Sequence, residues 1–243
     1  LDGRERAGES LTRAPTLAAL ASIPTRAEIL EGTLRSLRPQ VDRIAVYLNG
    51  YPEVPAIVHE LADEHVLCPE NGGAERKFWW ADKHDGIYLS CDDDITYPPD
   101  YVERMCAELE EHGGIVSAHG RVYLGKPYDV ERVEPGSVGV YHRRVDYGRP
   151  VNHCGTGVAA WDARTVHVPT EWPLRNMADM QLAMWAQGAR VPMWLIAHQA
   201  NWLKSPTIHD TQSLWHQSRI QGHRKRSEVL RAFGERVGWR MVC

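Results

Sequence analysis

The sequence predicts an α/β fold: one domain built on a doubly wound, mostly parallel sheet with helices on both faces. Three observations carry that expectation. Between residues 16 and 112, apolar stretches of strand length alternate with stretches of helical period, the order that generates parallel βαβ units. At 243 residues the chain is long enough to enclose a large core, for which one α/β domain is the default. A short apolar run, Ile87-Tyr88-Leu89, also leads into three consecutive aspartates, Asp92, Asp93 and Asp94, where such a sheet presents its ligand-binding edge.

Residues 1–15 begin polar and charged and read as a flexible arm. Thr16 to Ser22 is an apolar strand. Pro24 follows, and Thr25-Arg26-Ala27-Glu28 has the form of a capping box, whose hydroxyl and carboxylate satisfy free helix N–H groups. Ile29, Leu30, Thr33, Leu34 and Leu37 make the stripe of the first helix, ended by Pro39. Arg43 to Leu48 is the second strand, followed by the turn signal Asn49-Gly50. A short helix through Ile57, Val58 and Leu61 precedes a strand at Val66–Cys68. Asn71-Gly72-Gly73 is a flexible loop, and Ala74 to Asp82 is expected to be helical. The next strand suits burial, because β-branched and aromatic side chains pack well on a pleated surface. After Pro98-Pro99, Val102, Met105, Cys106 and Leu109 share a helical face that stops at Gly113-Gly114. Beyond that point the pattern loosens. Ile115–Ala118, Ser137–Tyr141, Val158–Trp161 and Val191–Ala197 read as strands, and Met177–Gln187 reads as a helix closed by Gly188. Arg224, Lys225, Arg226 and Arg231 beside Val229, Leu230, Phe233 and Val237 give a basic amphipathic helix, which packs on its own domain or lies on an anionic membrane.

Composition narrows the function classes. A net charge of −4 gives no reason to expect nucleic acid as a partner. No apolar run approaches the roughly 18 residues needed to span a bilayer. The start carries no signal-like stretch and no Met, which reads as a trimmed or processed end. Cys68, Cys91, Cys106, Cys154 and Cys243 are odd in number and form no Cys-x-x-Cys pair, so they read as reduced thiols of a cytoplasmic protein. Nine Trp and nine Tyr against two Phe would suit stacking on sugar rings, but large aromatics are also ordinary core residues.

The aspartates carry the chemistry. Three adjacent carboxylates repel one another unless a cation neutralises them. Hard oxygen ligands at a strand's carboxyl end suit Mg²⁺ or Mn²⁺ carrying substrate phosphates. The bland alternative is a solvated acidic turn. The Ser22–Arg26 turn, Asn49 and the Gly73 loop are expected on the same edge, and that convergence favours a site.

Four segments in this order resemble glycosyltransferases of the GT-A fold, and bacterial family-two transferases most of all. They are Ala21-Ser22-Ile23-Pro24-Thr25-Arg26; Gly73-Ala74-Glu75-Arg76-Lys77-Phe78-Trp79-Trp80; the aspartates with Tyr97-Pro98-Pro99-Asp100-Tyr101; and Gly155-Thr156-Gly157 with Asn176-Met177-Ala178-Asp179. The resemblance runs from about Thr16 to about Ser218. It implies a domain at 16–218, with a nucleotide-binding half (16–112) and an acceptor-side half (113–218), followed by the basic helix at 219–243. It implies sugar transfer from a nucleotide-sugar donor, UDP-linked or GDP-linked, to a hydroxyl on a carbohydrate, lipid-linked, small-molecule or peptide acceptor. Asp94, assisted by Asp92 or Asp93, would hold Mn²⁺ or Mg²⁺. Pro24, Thr25, Arg26, Asn49, Lys77, Asp92 and Asp93 would contact the nucleotide and its phosphates. Gly155, Thr156, Gly157 and Trp161 would line the acceptor side. His209, with Asp210 beside it, would add a metal or phosphate contact, for which His153 and His198 are alternatives.

Asp179 matches the position of the base that takes the acceptor's proton in an inverting transfer. Its other reading is a helix cap, since Asp is favoured in a first helical turn. The family's Glu-Asp pair is Ala178-Asp179 here. Two rivals remain. A nucleotidyltransferase shares the sheet and the metal-binding Asp, but it would carry a Gly-rich loop after the first strand, and Ile23-Pro24-Thr25-Arg26 has no glycine. A carbohydrate-binding protein that lost catalysis would not need intact aspartates.

Overall fold

Strand β1 (Thr16–Ser22) is buried along almost its whole length because it lies inside a sheet covered on both faces. Leu17 and Ala19 enter one core layer, and Ala18 and Leu20 the other, as the two-residue strand period requires. The computed structural model describes residues 13–123, 138–206, 216, 220 and 224–239. From β1 the chain continues through α1 (Ala27–Leu37), β2 (Arg43–Asn49), α2 (Ala56–Leu61), β3 (Glu64–Cys68), β4 (Ile87–Asp92), α3 (Tyr101–His112) and β5 (Ile115–Ser117). Short strands β6 (Gly120–Arg121), β7 (Val138–Gly139), β8 (Arg149–Pro150) and β9 (His153–Cys154) follow. The described chain then forms β10 (Val158–Asp162), α4 (Ala178–Ala189), β11 (Met193–Leu195) and α5 (Arg224–Arg236).

The main sheet has the order β3-β2-β1-β4-β10-β5-β11-β8. Strands β3, β2, β1 and β4 are parallel; β10 runs antiparallel between β4 and β5, so the strands of the two expected halves lie side by side in one sheet and meet at β4 and β10. The apolar stripes of α1 and α3, Leu30, Leu34, Leu37, Val102 and Met105, cover one face. On the other face Phe78, α4 and Leu230 of α5 pack around Tyr88 and Trp161. A small antiparallel sheet, β7-β6-β9, sits beside this second layer and sets Arg121 opposite His153.

Three local expectations need correction. The capping box does not form: Pro24–Arg26 is a 3-10 turn opened by the proline, and α1 starts at Ala27 with no side-chain cap. The helix expected over Ala74–Asp82 is only a 3-10 turn, Ala74–Phe78. The Tyr88 hydroxyl donates to the Lys77 carbonyl at 2.5 Å and takes an acceptor that a continuing helix would use. Helix α4 runs through Gly188 and ends at Arg190, which itself adopts the left-handed conformation at φ 61°.

The amphipathic α5 turns its apolar face inward. Leu230 is buried, Val229 and Phe233 pack against the core, and Phe233 contacts Trp239. Most of that face is spent on the domain, and Val237 just beyond the helix stays exposed. No helix of the described residues is long and apolar enough to cross one. Cys68, Cys91, Cys106 and Cys154 are free thiols, and Cys243 lies outside the described residues.

Candidate active site

Strand β4 delivers Asp92 to the carboxyl edge of the sheet, and the turn after it carries Asp93 and Asp94. The three carboxylates have different surroundings. Asp92 is 42% exposed, Asp94 is 13% exposed, and Asp93 is turned inward. Arg26, from the turn after β1, places one guanidinium nitrogen 2.9 Å from Asp93 Oδ1 and 2.8 Å from Asp94 Oδ2. Lys77 pairs with Asp92 from beneath, its side chain only 3% exposed. The protein therefore supplies its own counter-charges to the cluster.

Burial pushes the Asp93 carboxyl above its ordinary range, and Arg26 opposes that shift. Burial also works against the charged Lys77 ammonium, but Asp92, with Asp179 and Asp93, more than offsets it, so the lysine stays protonated. Tyr97 fixes the backbone here: its hydroxyl donates to the Gly157 carbonyl at 2.6 Å and accepts from the Asp92 N–H at 2.9 Å. Thr33 Oγ1 donates to the Asp93 carbonyl at 3.0 Å and ties the turn to α1.

The second carboxylate centre is Asp179, in the first turn of α4. It does not cap its helix through the N-cap position, which Met177 holds without a side-chain bond. Instead Asp179 Oδ1 accepts the Thr156 N–H at 2.8 Å and the Thr156 hydroxyl at 2.5 Å. Asp179 Oδ2 faces His153 Nε2 at 4.0 Å, and His153 Nδ1 lies 2.6 Å from the Tyr123 hydroxyl. Burial works to raise the Asp179 pKa, and His153, 4.0 Å away, together with the two hydrogen bonds from Thr156 holds it well below the usual carboxylate range. Burial keeps His153 below its ordinary value and takes neighbouring His119 down to about 4, so both imidazoles are neutral at neutral pH.

One tripeptide joins the two centres. Gly155 backs onto His119, Thr156 holds Asp179, and Gly157 packs so closely on Asp92 that a methyl group there would collide with its carboxylate. Ser117 Oγ and Ser90 Oγ pin this loop through the carbonyls of Gly155 and Thr156, at 3.0 and 2.6 Å. All three residues are buried, so they support the site from below and do not line it, as had been expected of them.

Other expected residues divide clearly. Pro24 and Thr25 are exposed beside Arg26 at the ligand edge. Asn49 is corrected: it is buried, and its amide accepts from Gly72 N–H at 2.9 Å and donates to the Gly73 carbonyl at 3.2 Å. Both ends of that amide shape the loop, and Gly73 can follow it at φ 95° because it has no side chain. Trp161 is corrected too. Its place in β10 turns it into the core, fully buried and stacked on Tyr88 at 4.6 Å between ring centres. His198 is buried between the carbonyls of Ala118 and Gln199, which removes it as a metal alternative. His209 and Asp210 lie outside the described residues.

Sequence reasoning missed Tyr123, the role of His153 beside Asp179, and Glu75, whose buried carboxylate accepts the Met177 N–H at 2.5 Å and holds the start of α4. These contacts join segments far apart in the chain, and no local pattern announces them.

A divalent ion can be tested against this donor set. Among the described residues no three His, Cys, Asp or Glu side chains converge as a self-sufficient metal cage. Mg²⁺ and similar ions take one or two carboxylates and complete their shell with water and substrate phosphate. Asp92 and Asp94 fit that role, and the buried Asp93 Oδ2 beside them has no hydrogen-bond partner.

No protein-family profile matches the chain, and no curated protein matches it either. Among solved structures, 4-diphosphocytidyl-2C-methyl-D-erythritol synthase aligns with a TM-score of 0.51 at 14% identity, over 83% of this chain and 96% of its own. A Bacillus anthracis protein described as a glucose-1-phosphate thymidylyltransferase, in complex with a sucrose, aligns with a TM-score of 0.48 at 10% identity, over 89% and 95%. The first of these likenesses is one of fold: the chain is a single-domain α/β protein with a large, mostly parallel central sheet flanked by helices.

Proposed function

We propose that the protein is a divalent-cation-dependent glycosyltransferase, which takes a sugar from a nucleoside diphosphate and gives it to an acceptor hydroxyl. The observation that carries this reading is the pairing of two unlike carboxylate centres across Gly155–Gly157. One is rich in cations and suits a diphosphate; the other is a single ionised carboxylate fixed through one oxygen. Asp92 and Asp94 would hold Mn²⁺ or Mg²⁺, which when bound stabilises the developing charge of the diphosphate. Pro24, Thr25 and Arg26 flank the nucleotide's position. Asp179 accepts the acceptor's proton through Oδ2, the oxygen that Thr156 leaves free. The new C–O bond forms as the sugar–phosphate bond breaks, the nucleoside diphosphate departs, and an in-line attack of this kind inverts the anomeric centre.

A nucleotidyltransferase is the second reading, and the solved neighbours' names support it better than they support sugar transfer. Against it, the turn after β1 is a short 3-10 turn with no glycine. Incubation with Mn²⁺ and a panel of nucleotide sugars separates the readings. Glycosyl transfer releases nucleoside diphosphate. Release of nucleoside triphosphate on adding pyrophosphate marks the rival, and no turnover across the panel leaves a binding protein.

A further inference from the structure

Arg26 is shared by two carboxylates, and its position is unlike that of Lys77. Among the described residues the three aspartates are ion-paired with Arg26 and Lys77, and these five groups together carry one net negative charge. Lys77 is sealed beneath Asp92. Arg26 is 21% exposed and sits beside the exposed Pro24 and Thr25 at the ligand edge. Its guanidinium occupies Asp94 Oδ2 directly, while the buried Asp93 Oδ2 has no hydrogen-bond partner. A divalent ion arriving alone would meet Arg26 on its own ligand and turn the cluster's charge to a net positive one. An anion arriving with it removes both obstacles.

We propose that Arg26 is a resident counter-ion: it neutralises Asp93 and Asp94 in the free protein and swings to the diphosphate when cation and nucleotide bind together. Metal and nucleotide affinities are thereby coupled through one side chain, and the coupling is reciprocal. This inference rests on the nucleotide-site reading above, and the test keeps the two apart.

Mn²⁺ binding is measured by loss of the free-ion electron paramagnetic resonance signal, without nucleotide, in wild type and Arg26→Gln. UDP and GDP affinities are then measured calorimetrically at saturating Mn²⁺. The expected signature has opposite signs: in Arg26→Gln, Mn²⁺ alone binds more tightly, and the nucleoside diphosphate more weakly, each by about tenfold, within the usual range of coupling between sites. Arg26→Lys, which keeps the charge, should restore wild-type behaviour in both. If the single variant fails to fold because Asp93 is left buried and unpaired, Arg26→Gln/Asp93→Asn removes that charge and still frees Asp94. Unchanged or weaker binding of Mn²⁺ alone, with weaker nucleotide binding, overturns the counter-ion role and leaves the nucleotide site standing. Failure of wild type to bind either nucleotide with Mn²⁺ overturns the nucleotide site, and this inference with it.

Discussion

The aspartate cluster and Asp179 are both carboxylate centres at one edge of the sheet, yet the protein treats them in different ways. Asp92, Asp93 and Asp94 are paired with full charges, Lys77 and Arg26. Asp179 is held by a hydroxyl and a backbone N–H, and its other oxygen faces, at 4.0 Å, an imidazole that burial keeps neutral. Charge paired with charge suits a site that exchanges ions and phosphates. Asp179 takes its hydrogen bonds from neutral groups, with the Lys77 ammonium acting on it only through space, and keeps Oδ2 for a proton. On the proposed function, the contrast would divide labour between the nucleotide and the acceptor.

The largest expected effect comes from Asp94→Ala. Transfer should fall by roughly a thousandfold or more, the loss of several kcal/mol of metal-supplied stabilisation. The fold should survive, because Arg26 keeps its bond to Asp93. Full activity in this variant, or in excess EDTA, would remove the metal from the account. Next is Asp179→Asn, which keeps the side chain's shape but cannot take the proton. Turnover should drop by roughly two to four orders of magnitude, the range for losing a general base. A variant near wild type would return Asp179 to a structural role, and a retained anomeric configuration by NMR would exclude the in-line base.

His153 acts through Asp179 and should have a smaller effect. His153→Ala should slow turnover by roughly tenfold or less, because its Nε2 faces Asp179 Oδ2 at 4.0 Å, beyond direct hydrogen-bond reach. Removing this neighbour raises the Asp179 pKa, so the acidic limb of the pH–rate profile should move to higher pH. His119, already down at about 4, and Arg121 also neighbour this centre and remain in the variant. His153→Gln keeps a polar neighbour at this place and should recover part of the rate; an unmoved acidic limb would mean that His153 only fills space. The smallest effect is on stability. Tyr97→Phe removes the hydroxyl that binds the Gly157 carbonyl and the Asp92 N–H, at a cost of about 1–3 kcal/mol. A thermal melt should read this as a loss of roughly 2–4 °C per kcal/mol for a chain of this size.

The two centres were not equally legible in the sequence. Asp92–Asp94, Arg26 and Lys77 stand in short motifs at the ends of predictable elements, and the sheet's carboxyl edge gathers them. Asp179 was found through a resemblance, but what holds it was not: Thr156 is 23 residues away and the Tyr123–His153 contact spans 30. Trp161 was misjudged because strand alternation gives two faces without saying which is covered, and here Tyr88 covers the one it occupies. Asn49 was misjudged because a polar residue at a strand's end can face a ligand or brace a loop. Only the positions of Gly72 and Gly73 decide between them.

The division of labour is tested most directly by nucleoside diphosphate affinity in the two carboxylate variants. UDP and GDP are titrated into wild type, Asp94→Ala and Asp179→Asn by calorimetry, each with saturating Mn²⁺. The account predicts that Asp94→Ala loses most of the binding, while Asp179→Asn binds as wild type does and fails only in turnover. Equal losses in both variants, or a loss confined to Asp179→Asn, would contradict it.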